Sequence, residues 1–163
     1  MSCSKLTLVD SAGNKHPVNK APWCKFVTIK NITDDTDDTE GSEIPLSNVT
    51  SDLVPYLNQW VEKHVDTEFP EPEKNVPKNS DITDEWDVEY LKQFPNNEVL
   101  FALILAVNFL DCKPFLDLLC KHVASKIKGK SPEEIRTIFN IVNDFTPEEE
   151  EQVRKENAWC EEK

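Results

Sequence analysis

At 163 residues the chain has room for one compact domain and an appendage, long enough to bury a core without metal or disulfide help. Its formal net charge of -13 repels phosphate backbones and argues against nucleic-acid binding, and no apolar run is long enough to span a bilayer. The five cysteines (Cys3, Cys24, Cys112, Cys120 and Cys160) form no CxxC pair, and no apolar leader opens the chain, so a reduced, intracellular setting is expected.

Leu6, Leu8 and Val18 flank Gly13-Asn14 and read as a hairpin of two strands. From Ala21 to Ile32, Trp23, Phe26, Val27 and Ile29 fit no single period; a helix is the reading. The acidic run Thr33 to Ser42 has the residues of a metal site but not the calcium-loop spacing with its central Gly, so it reads as a solvated loop. Glu43 to Val49 reads as a short strand limited by Pro45.

Thr50 to His64 reads as a helix burying Leu53, Leu57, Trp60 and His64, with Thr50 or Ser51 as cap and Pro55 near the first turn. Residues 66–84 hold Pro70, Pro72 and Pro77 among acidic side chains, and are expected to form a mobile linker. Trp86, Val88, Tyr90 and Leu91 form a short helix. Glu98 to Leu110 is apolar nearly all round, which predicts a central, buried helix. Pro114 stops it near Asp111 and suits the start of the next helix, striped by Leu116, Leu119 or Cys120, Val123 and Ile127 and stopped by Gly129. Lys121, Lys126 and Lys128 complement that helix's dipole.

The last third carries two capping boxes with Pro at the first helical position, Ser131-Pro132-Glu133-Glu134 and Thr146-Pro147-Glu148-Glu149. Ile135, Ile138 and Phe139 lie on the first helix, Ile141 and Phe145 on the link, Val153 and Trp159 on the second. These side chains are too sparse to form a core alone. They pack back on the chain's own domain or are completed by another chain, and their size on polar-backed elements favours the latter.

Catalytic patterns are missing from the sequence. Three glycines build no phosphate cradle, and His16, His64 and His122 have no metal-ligand spacing. Cys120 and His122, two apart on a helix, face different sides. The Glu148 to Glu151 run sits at a helix start, where acids stabilise the dipole. Neither an enzyme nor a cofactor is expected.

The segment 131–163, SPEEIRTIFNIVNDFTPEEEEQVRKENAWCEEK, closely resembles the C-terminus of the S-phase-kinase-associated adaptor family, the F-box-binding subunits of SCF ubiquitin ligases. The block LAVNFLDCKPFLDLLC (Leu105 to Cys120) resembles a second family signature, as do Val27-Thr28-Ile29-Lys30, Pro45-Leu46-Ser47-Asn48-Val49 and Trp86-Asp87. The resemblance implies an α+β protein: a BTB/POZ-type domain over 1–128, with an acidic loop at about 66–84, then two additional C-terminal helices over 129–163 that bind an F-box.

It further implies a non-catalytic adaptor of ubiquitin-dependent protein degradation, cytoplasmic and nuclear, bridging a cullin to F-box substrate receptors. The alternative is a diverged POZ-type scaffold or weak homodimer that binds F-box proteins without a cullin. By matching position, Asn108, Phe109 and Cys112 fall on the cullin-facing side; the family usually has Tyr at Phe109, Ile at Cys112 and Gly at Pro114. Leu116, Cys120, Val123 and Ile127 become the floor of the F-box site. Ile135, Ile138, Phe139, Ile141, Phe145 and Trp159 become its apolar grip. Asn143, Asp144, Arg154 and Asn157 are the polar positions that set register. Pro147 falls where some members are hydroxylated, although its place at a helix start needs no such explanation.

Overall fold

A computed structural model describes residues 5–35, 43–69 and 82–161. The rest of the acidic run beyond Asp35, residues 70–81 of the expected linker, Cys3 and the Cys160 side chain lie outside the described residues. The chain divides into two compact units, Met1–Lys126 and Ile127–Lys163, against an expected boundary at 128/129.

The first unit is α+β. β1 (Lys5–Val9) pairs antiparallel with β2 (Lys15–Asn19) and parallel with β3 (Glu43–Pro45), giving the sheet order β2-β1-β3. Leu6 faces Val18 and Leu8 faces Ile44 in register, and all four side chains are buried. The period-two alternation thus sends one face of the sheet into the core. The hairpin does not close on a tight two-residue turn. The Asp10 carboxylate accepts from the backbone N–H of Ala12 and of Asn14, each at 2.9 Å, and Gly13 takes the left-handed φ of 85°.

The ambiguous stretch after the hairpin is helical but interrupted. α1 (Lys20–Trp23) and α2 (Val27–Asp35) are separated because Trp23 and Phe26 both turn into the core, their rings 5.1 Å apart. α3 (Val54–Lys63) is shorter than expected. Its N-cap is Leu53, with no side-chain cap bond, so neither Thr50 nor Ser51 caps it. The reason is tertiary: the Ser51 hydroxyl donates to the Asp10 carboxylate instead. Pro55 does lie in the first turn.

α4 (Glu85–Leu91) starts at Asp84, whose carboxylate accepts from the N–H of Trp86 at 2.8 Å and of Asp87 at 3.2 Å. α5 (Asn97–Leu110) buries Leu100, Leu103, Ala106, Val107 and Leu110. It is not buried all round. Leu105 is 69% exposed and Phe101 39%, so one apolar side of this helix faces solvent. α5 ends at Asp111 in the left-handed region, φ 53°, and α6 (Lys113–Ile127) begins one residue before Pro114.

The core of this unit is aromatic where α3, α4 and α6 meet. Trp60 stacks on Phe115 at 4.2 Å, and Tyr90 donates its hydroxyl to the Tyr56 carbonyl at 2.9 Å. Burial pushes the Tyr90 phenol far above its ordinary range. No helix of the described residues is long and apolar enough to cross a membrane.

The second unit contains α7 (Pro132–Phe139), α8 (Pro147–Glu156) and α9 (Ala158–Glu161). Gly129, φ 72°, lies between α6 and α7, as the expected stop requires.

Candidate protein-interaction site

Both expected capping boxes form. Ser131 Oγ accepts from the Glu134 N–H at 3.2 Å, while the Glu134 carboxylate accepts from the Ser131 N–H at 2.8 Å. Thr146 Oγ1 and Glu149 repeat the exchange at 3.3 and 2.9 Å. These backbone donors hold both glutamates below the usual carboxylate range, with Lys130 adding to the effect at Glu134. α7 closes at Asn140, φ 52°, and the Ile141 N–H returns to the Arg136 carbonyl at 2.8 Å.

The helices so fixed have almost nothing inside them. No residue of α7 or α8 is buried. Ile135, Ile138 and Phe139 are half-buried, and Ile141 and Phe145 are exposed. Trp159 is 74% exposed, and Val142, which the sequence reading did not single out, is 83% exposed. Of the polar positions, Arg154 is spoken for within the unit, 3.3 Å from Glu133. Asn143 donates to Glu150 at 3.3 Å, and Asn157 donates to the Val153 carbonyl at 2.8 Å. Asp144 is exposed.

On α6 the core is taken by Phe115, Leu118 and Leu119. The expected floor residues lie off that face: Leu116 and Val123 are half-buried, Cys120 and Ile127 exposed. The N-terminal unit has the second expected surface. Asn108 is exposed and Phe109 half-buried, but Cys112 is 4% exposed and its thiol is pushed up to about 11 by burial. Cys112 is thus buried in the core cluster, whereas Asn108 and Phe109 reach solvent. Leu105, which sequence reasoning assigned to the core, lies one turn before Phe109. The signal was present as Phe101, Leu105 and Phe109 at intervals of four on a helix with more apolar faces than a core requires. The start of α2 is tied beside this end of α5: Thr28 donates its hydroxyl to the Phe109 carbonyl at 3.0 Å, and the Val27 N–H to the Asp111 carbonyl at 3.3 Å.

One cluster has catalytic residue types. His16 Nε2 stands 3.0 Å from Asp10 Oδ2, and Ser51 donates to that same oxygen. Both contacts run to the acid, so the serine hydroxyl is held by a carboxylate and not activated by an imidazole. The cluster joins the hairpin to the segment before α3. Among the described residues no group of three or more His, Cys, Asp or Glu side chains is arranged to hold a metal ion.

An α+β domain followed in the chain by a capped helical unit that exposes apolar side chains has the features of a protein-binding module. Residues 113–160 match the model of the Skp1 family, dimerisation domain. The chain is 53% identical over 129 residues to a Skp1-related protein of Caenorhabditis elegans, covering 78% of this chain and 72% of the relative. It is 48% identical to the SCF ubiquitin ligase complex protein SKP1a of Dictyostelium discoideum, over 90% of this chain and 89% of that one. With the Suppressor of kinetochore protein 1 of Schizosaccharomyces pombe the identity is 42% over 98% and 99% of the two chains. The chain belongs to the Skp1 family.

Proposed function

We propose that this protein is the non-catalytic adaptor subunit of an SCF-type ubiquitin ligase, linking F-box substrate receptors to a cullin. The observation that carries the reading is a C-terminal unit with defined helix caps and no buried residue in α7 or α8. Covering an exposed Trp or Phe is worth about 1.5–3 kcal/mol each, and such aromatic anchors dominate many interfaces. Trp159, Phe145 and Ile141, with Ile135, Ile138 and Phe139, are the apolar grip on an F-box; Leu116, Cys120, Val123 and Ile127 are the proposed floor. Asn143, Asp144, Arg154 and Asn157 are the polar positions proposed for register.

The cullin surface is the exposed side of α5. Asn108 and Phe109 form its end, and Leu105, 69% exposed, extends it by one turn. A cytoplasmic and nuclear setting is part of the same proposal.

Size-exclusion chromatography with light scattering, on mixtures with an F-box domain and a cullin N-terminal domain, tests this reading. A ternary 1:1:1 complex is expected. A stable binary complex with the F-box domain alone favours a cullin-independent scaffold, and binding to neither removes the adaptor role.

A further inference from the structure

The C-terminal unit has no apolar core in α7 or α8, yet its helices are cross-linked by charge. Arg136 of α7 lies 3.3 Å from Glu150 of α8 and carries its guanidinium 5.8 Å from the centre of the Phe145 ring. The same Glu150 oxygen accepts from the Asn143 amide at 3.3 Å. A second bridge runs the other way, from Arg154 of α8 to Glu133 of α7, again at 3.3 Å. Two oppositely directed pairs, with α7 giving one cation and one anion and α8 the converse, fix both the spacing and the register of the helices. Arg136 and Glu150 are the more sheltered pair, 20% and 35% exposed in their side chains against 62% and 55% for the other, so solvent and salt weaken them least.

We propose that Arg136 and Glu150 act as positioning residues for F-box capture: they hold α7, the Asn143–Phe145 link and α8 in the binding geometry before the partner arrives. The inference rests on the F-box reading above. Its physical basis is preorganisation: a unit already ordered loses less freedom when its apolar side chains are covered. Arg136 is central because it meets this surface at three points, two through its side chain and one through its backbone. Its guanidinium pairs with Glu150 and lies over Phe145, and its backbone carbonyl receives the Ile141 N–H at 2.8 Å. Phe145 and Ile141 are grip residues, so displacing Arg136 moves the surface the partner meets. Asn143 and Arg154, also expected to meet the partner, belong to this same lattice.

A double-mutant cycle on the full chain tests the proposal: Arg136→Met, Glu150→Gln and both together. The affinity for an F-box domain is measured by calorimetry at low and high salt, with amide exchange of 132–159 recorded in the free protein. Each single variant is expected to bind about two- to fivefold more weakly. The double variant is expected to be no worse than the poorer single one, because the residues act as a pair. Free-state exchange should speed up in all three, at low and at high salt. Additive losses with unchanged free-state exchange would mean that both residues touch the partner directly, and unaltered affinity in Arg136→Met would show that the lattice positions nothing; either overturns the proposal. Failure of the wild type to bind an F-box domain at all refutes the adaptor reading instead, and is seen before any variant is compared.

Discussion

His64 at the end of α3 and Asp87 on α4 meet at 3.1 Å, joining positions 23 residues apart in the chain. The other ring nitrogen of His64 faces the Thr67 hydroxyl at 3.4 Å, and its ring lies 4.5 Å from that of Trp60 and 5.6 Å from that of Trp86. A buried imidazole between aromatic walls needs both polar partners. Asp87→Ala leaves one ring nitrogen without a partner and is expected to lower the stability of the N-terminal unit by about 1–3 kcal/mol. Urea unfolding followed by tryptophan fluorescence measures it; F-box affinity at 25 °C should be unaltered.

Asp10 gives the protein a specific sensitivity to acid. Hydrogen bonds from His16 first, then Ser51, and from the Asn14 backbone and amide hold its carboxyl far below the ordinary value of 3.8. A depressed carboxylate stabilises the fold above its unfolded pKa, and that contribution drains away as pH falls through the folded one. Wild type should therefore outlast Asp10→Asn in urea at pH 7, and the gap between their midpoints should narrow steadily below pH 3.8. A gap that widens in acid would reverse the assigned sign.

Trp159 separates binding from folding. It is 74% exposed, so Trp159→Ala removes no core contact. F-box affinity should fall by at least about tenfold, the size of an interface anchor, while the thermal midpoint of the free protein stays within about 1 °C of wild type, as for surface substitutions generally. Melting of the free protein would instead make Trp159 a structural residue.

The α5 surface yields a paired prediction. Leu105→Glu puts a charge where the proposed cullin contact is apolar and should abolish cullin binding with F-box binding intact. Phe109→Tyr restores a hydroxyl at the adjacent turn and should strengthen cullin binding, by up to about tenfold for one good hydrogen bond. Both are read by surface plasmon resonance against a cullin N-terminal domain.

Much of this was legible in the sequence because local signals and tertiary packing agree. The two capping boxes, the stop at Gly129 and the alternation of Leu6 and Leu8 are short-range patterns, and the structure places each as read. The errors arise where distant residues decide. Ser51 has the chemistry of a helix cap, but Asp10, 41 residues away, takes its hydroxyl. Leu105 was assigned to the core because a helix apolar on every face looks buried on every face; the core needs only the side carrying Leu103, Val107 and Leu110. Cys112 followed Asn108 and Phe109 in the chain and so was grouped with them, but the left-handed Asp111 between them turns the chain inward. The pairing of Arg154 to Glu133 and of Asn143 to Glu150 was likewise hidden by their separation in the chain.

The most direct measurement is amide hydrogen exchange over residues 132–159, in the free protein and with a saturating F-box domain. Slowing concentrated in α7, the 140–146 link and α8 upon addition is the predicted result. Identical exchange in both samples, in the presence of demonstrated binding, would contradict it, because the wet apolar side chains of this unit would then not be what the receptor covers.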